Sequence, residues 1–157
     1  MNGKNISVGR PASRGFTILE ACVTMAIMMV VTGFAIPILR QTVNRYRLGA
    51  AVSSVTGAIR ATRYQSLMEG YRYRLAINPT TNKYQLSSMI PPAATYSNVG
   101  SAIPITSNAV TISAATTLEF RPNGQVSATT GALNFNVSYK NVTQTITVTT
   151  YGNVTVN

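Results

Sequence analysis

The chain has no histidine, three carboxylate side chains and one cysteine in 157 residues. Each shortage removes a class of chemistry. Without imidazole, histidine-based acid–base and nucleophilic schemes cannot be built, and a metal site loses its commonest ligand. The acids Glu20, Glu69 and Glu119 are spread along the chain, so no carboxylate pair and no nucleophile–base set can be named. Cys22 has no intrachain disulfide partner and lies inside an apolar run, where it reads as a small buried hydrophobe rather than a ligand. The chain therefore reads as a non-enzyme that calls for no metal and no cofactor.

What it does have is positive charge. Thirteen Lys and Arg give a formal net charge of +10. Seven of the arginines fall in residues 40–74 beside a single acid, while residues 141–157 carry no charged side chain. Such asymmetry points to a partner surface or a membrane face. Abundant Thr, Ser, Asn and Val, with 10% charged residues, suit a β-rich extracytoplasmic domain. The length allows one domain with a core of ordinary size.

Residues 1–15 are short, polar and basic, with Lys4, Arg10 and Arg14 and no acid. Hydrophobicity then begins abruptly and runs from Phe16 to Leu39 with one carboxylate, Glu20. As a helix this segment is roughly 36 Å long, enough to cross a hydrocarbon core of about 30 Å. The basic flank places residues 1–15 in the cytoplasm and the remainder outside. A secretory signal peptide fits poorly: the apolar stretch is too long, and no small-residue cleavage site closes it. Glu20 costs about 2.5–3.5 kcal/mol at a bilayer centre and less toward the interface, so it needs a reason. The plain reason is solvation at headgroup level.

The order Arg14-Gly15-Phe16-Thr-Ile-Leu-Glu20 resembles the type IV pilin, pseudopilin and competence-pilin superfamily. Its members share a short basic leader ending in Gly, a hydrophobic first residue and a Glu four positions on. The resemblance implies cleavage between Gly15 and Phe16 by a prepilin peptidase and N-methylation of Phe16. It further implies that Glu20 meets the amine of a neighbouring subunit's first residue during assembly. Glycine at the cut presents a backbone without a side chain to the peptidase. Pro37 removes one helix hydrogen bond and should bend or loosen the helix there, with Gly33 adding to the effect.

Beyond Leu39, Leu48, Val52, Val55 and Ile59 draw one apolar stripe at spacings of three and four. The helix is expected to reach about Met68, with Gly70 as its stop and the stripe weakening at Thr62 and Ser66. Arg45, Arg60 and Arg63 fall on one flank, Arg40 and Arg47 on the other. After Gly70 the period becomes two. Tyr71–Ile77 reads as a strand with Tyr71 and Tyr73 inward and Arg72 and Arg74 outward. Asn78–Asn82 is a turn, 83–89 a returning strand and 91–108 a long loop. Further strands are expected at 109–114, 117–121, 125–127, 132–139 and 143–156. The fold class is α+β: a long N-terminal helix, transmembrane in its first half, packed on a mostly antiparallel β-sheet. The divisions are a leader at 1–15, a transmembrane and assembly helix at 16–39, its amphipathic continuation at 40–70 and a β domain at 71–157.

Leu118-Glu-Phe-Arg-Pro-Asn-Gly124-Gln-Val126, read as strand, turn and strand, is similar to the pseudopilin H and FimT group of minor pilins. The absence of a second Cys, with which many major pilins staple a C-terminal loop, favours that group. The resemblance implies a minor pilin or pseudopilin of a type II secretion pseudopilus or a type IV pilus. Its partners would be other pilin subunits, the prepilin peptidase and the bacterial inner membrane. The domain beyond the anchor would lie in the periplasm and later on a fibre. The alternative is a FimT-like DNA receptor for transformation, using Arg60, Arg63, Arg72 and Arg74 near Tyr64, Tyr71 and Tyr73. DNA-binding members of that group are similar in carrying basic residues toward the C-terminus, and here residues 141–157 have none.

Overall fold

The computed structural model describes residues 15–105 and 110–157. One helix, α1 (Ile18–Glu69), is followed by nine strands: β1 (Arg72–Asn78), β2 (Lys83–Met89), β3 (Ser97–Pro104), β4 (Thr111–Ile112), β5 (Thr116–Phe120), β6 (Val126–Thr130), β7 (Asn134–Tyr139), β8 (Val142–Val148) and β9 (Val154–Val156). The strands form two antiparallel sheets, ordered β3-β2-β1-β5-β6 and β4-β7-β8-β9. The α+β class expected from the periodicities is the class observed. By contacts the chain divides into two units, one ending at Leu39 and one running from Arg40 to Asn157.

In the first unit every described residue but Ala21 is exposed, including Phe16 at 73%, Leu19 at 76% and Phe34 at 72%. Cys22, expected to be buried, is exposed here. Among the described residues of its own unit, the apolar segment has nothing to pack against. The helix runs unbroken through Gly33 and Pro37, although Pro37 has no N–H to offer the preceding turn. The loosening expected at Pro37 does not interrupt the helix.

The second unit holds the core. Leu48, Val52, Val55 and Ile59, the stripe read from the sequence, are all buried. They pack with Tyr73, Leu75 and Ile77 from β1, Leu118 and Phe120 from β5, and Phe135, Val137, Ile146 and Val148 from the second sheet. The stripe continues beyond its apolar part. Thr62 and Ser66 are also buried, and each satisfies its hydroxyl. Thr62 Oγ1 donates to Ala58 O, 2.7 Å away. Ser66 Oγ lies 3.0 Å from Tyr71 O and 3.1 Å from Phe120 O. The end of α1 is thereby tied to the entry of β1 and to the end of β5, through a polar residue that a hydropathy count discards.

The turns follow their residue chemistry. Asn78 Oδ1 accepts the backbone N–H groups of Thr80 and Thr81, closing the β1–β2 hairpin. At 121–125, Gly124 adopts a φ of +83° and its N–H donates to Arg121 O, reversing β5 into β6. Two expectations need correction. Residues 91–108 are not one loop, because β3 occupies Ser97–Pro104. It pairs with β2, with a register shift between Tyr84 and Leu86 where Gly100 takes a φ of +69°. The stretch 143–156 is not one strand but β8 and β9, reversed around Gly152.

Replacing Ser66 by alanine should leave Phe120 O or Tyr71 O without this partner and cost about 1–3 kcal/mol, the usual penalty for a buried unsatisfied polar group. Denaturant unfolding of the detergent-solubilised chain measures it. Ser53→Ala, at an exposed position on the same helix, should change stability far less.

Candidate functional site

Two places gather chemistry: the start of α1 and the outer face of the five-stranded sheet. At the first, Gly15 and Phe16 precede the helix and are exposed. Thr17 acts as the cap: its Oγ1 accepts the Glu20 N–H at 3.2 Å, and its carbonyl accepts the Ala21 N–H at 3.1 Å. Thr17-Ile-Leu-Glu20 has the S/T-x-x-E spacing of a capping box, a signal legible in the sequence and overlooked there. Glu20 also lies in the first turn, where the helix dipole favours an anion. Its carboxylate has no cation and no hydrogen-bond donor among the described residues. Residues 1–14, which hold Lys4, Arg10, Arg14 and all but the last residue of the expected leader, lie outside the described residues.

The other two acids are engaged inside the second unit. Glu69 closes α1 and accepts hydrogen bonds from Tyr71 and, at 2.7 Å, from Tyr73. The two phenol rings stack with centroids 5.3 Å apart. Burial, followed by the Glu69 hydrogen bond and charge, pushes the Tyr73 phenol up to about 12.

Glu119, 6% exposed, is the centre of the second cluster. It stands opposite Arg74 in the β1–β5 register, and Arg74 donates to Glu119 Oε2 from Nη2 at 2.9 Å and Nε at 3.2 Å. Arg72 and Arg121 approach Oε1 at 3.6 and 3.7 Å. The Tyr96 ring covers the Arg74 guanidinium at 3.8 Å. Burial pushes the Glu119 carboxyl up. The Arg74 hydrogen bonds and the Arg74 and Arg72 charges outweigh it, and hold the group below its ordinary 4.5.

The four arginines proposed as nucleic-acid contacts are not brought together as one free basic surface. Arg72 and Arg74 lie on the outer face of the sheet as alternation predicts, but both face Glu119. Arg63 is half-buried against Gly152: a Cβ there would fall 2.5 Å from Arg63 Cδ and Nε. Arg60 stands exposed beside Tyr64. Arg47, on the other flank, donates to the Tyr139 hydroxyl at 2.7 Å. No group of three or more potential metal ligands occurs among the described residues.

Comparison with known proteins adds no identity: no family model, no curated protein and no solved structure matches this chain. What stands is α1, whose apolar stretch is long and apolar enough to cross a membrane by length and composition.

The depressed Glu119 pKa fixes the sign of one pH effect. Its unfolded form takes up a proton before the folded form does, so stability is full above the ordinary carboxylate range. It is lost as pH falls from 4.5 through the folded value. Glu119→Gln should flatten that acid limb in unfolding curves measured between pH 6 and about 3. The raised Tyr73 pKa works at the other end. Its contribution is intact below pH 10 and lost as pH rises through about 12, so Tyr73→Phe should flatten the alkaline limb.

Proposed function

We infer that the chain is a minor pilin or pseudopilin subunit. It is cut between Gly15 and Phe16, held in the inner membrane by its apolar helix, and assembled through Glu20 into a type II secretion pseudopilus or a type IV pilus. One observation carries the reading. Of the three carboxylates, only Glu20 lacks a partner among the described residues, and it stands on an apolar helix whose side chains are left uncovered. A chain this poor in acids has placed one where desolvation is costly. Cleavage after Gly15 would create an ammonium on Phe16 at the positive end of the α1 dipole, an unfavourable position that a carboxylate relieves. Glu20 of a neighbouring copy or of a related subunit meets that need, and N-methylation leaves the cation in place.

Membrane insertion in this reading covers the Phe16–Leu39 side chains with lipid, and assembly replaces lipid by the helices of other subunits. The domain from Arg40 onward lies on the periplasmic side. The hairpin at Leu118–Val126, on which the resemblance to the H and FimT group rests, closes as a tight turn.

The capping geometry supplies a control. Thr17→Ala removes the side-chain cap and should cost about 1 kcal/mol of local helix stability, while leaving the carboxylate. Glu20→Ala removes the charge. Co-purification with the other pilin subunits should survive the first substitution and fail with the second. Equal loss in both would reduce Glu20 to a capping residue. Gly15→Leu should accumulate an uncut precursor in membranes, visible as a larger band; normal cutting would displace the site.

A further inference from the structure

The free edge of the five-stranded sheet is built to accept another strand. All eight residues of β3 are exposed, and β3 ends the sheet, so the backbone groups turned away from β2 have no partner strand among the described residues. Proteins usually guard such an edge with charges, an internal proline, a bulge or a covering segment. β3 reads Ser97-Asn-Val-Gly-Ser-Ala-Ile-Pro104, without a charge and with proline only at its end. Its one guard among the described residues is the register shift at Gly100.

Beside the edge lies a groove between α1 and the strands, lined by Ala61, Gln65, Tyr84, Leu86, Val99 and Ile103. Val99 and Ile103 are 41% and 49% exposed and stand two strands from the nearest buried residues of β1. An added strand would satisfy the β3 backbone and lay alternate apolar side chains into this groove, the usual division of labour in strand addition.

Charge selects the occupant. No carboxylate occurs between Glu69 and Glu119, so β1, β2 and β3 are free of acids. Positive charge is in excess at both ends of the edge. Near Tyr96, the residue before β3, Arg72, Arg74 and Arg121 share the single carboxylate of Glu119, and Lys83 is registered opposite Pro104 at the far end. A second copy would bring like charge to both ends. We propose that β3 binds an extended segment of a different chain, with apolar residues at alternate positions and acids at its two ends. The proposal concerns the unit from Arg40 onward and does not depend on the pilin reading.

The test uses the full chain in detergent micelles and a defined probe: a peptide as long as β3, alternating threonine and valine, with aspartate at both ends. Methylation of alternate backbone nitrogens leaves it one pairing edge and keeps it from stacking on itself. Hydrogen exchange should show new protection confined to β3. A lysine-ended version should bind about tenfold more weakly, the scale of two exposed charge pairs. Ala102→Pro should abolish the protection. Lys83→Glu, a surface change that leaves the edge backbone intact, should narrow the difference between the two peptides. Protection elsewhere, equal binding of both peptides by the unaltered chain, or concentration-dependent protection of β3 without peptide would each overturn the proposal. The last outcome would give the edge to a second copy.

Discussion

From Phe16 to Leu39 the chain presents a mostly apolar surface that the described residues of its own unit do not cover. Water penalises such a surface in proportion to its area, so an apolar environment around the helix is favoured. Other features are in keeping with that preference. The segment is long enough to span a bilayer, cations stand at both of its flanks, and its one carboxylate is confined to the first turn. There the helix dipole favours an anion.

The second unit meets the opposite condition, burying an apolar core of its own in a chain with few charges. The buried stripe of α1 serves both sheets, and its polar end is kept dry by Ser66 bonding across to β5. Charge is handled frugally. Glu69 gathers two tyrosines, and Glu119 gathers three arginines on the outer sheet face. Among the described residues, most of the positive excess therefore has no carboxylate counterpart, which suits a domain that meets other surfaces.

The apolar first half of α1, the Leu48–Ile59 stripe and strands β1, β2, β5 and β7 could be read in advance. Each has a period, 3.6 or 2, imposed by one buried face. β3 was missed because that signal is absent: with both faces exposed and Gly100 at positive φ, its residues resemble those of a loop. The split between β8 and β9 was hidden because threonine and valine continue on both sides of the turn. The capping role of Thr17 is legible in the Thr-x-x-Glu spacing, although the apolar run that follows is the stronger signal. Contacts distant in sequence, such as Arg63 over Gly152 or Arg74 against Glu119, arise from tertiary packing and leave no local pattern.

The central claim is that the apolar helix begins, in the working protein, at a free and modified Phe16 whose amine needs Glu20 of another subunit. Mass spectrometry of the N-terminal peptide from membrane-extracted protein tests it most directly. The account predicts a chain starting at Phe16 and carrying one N-methyl group. A chain still starting at Met1, or one cut beyond Leu39, would contradict it.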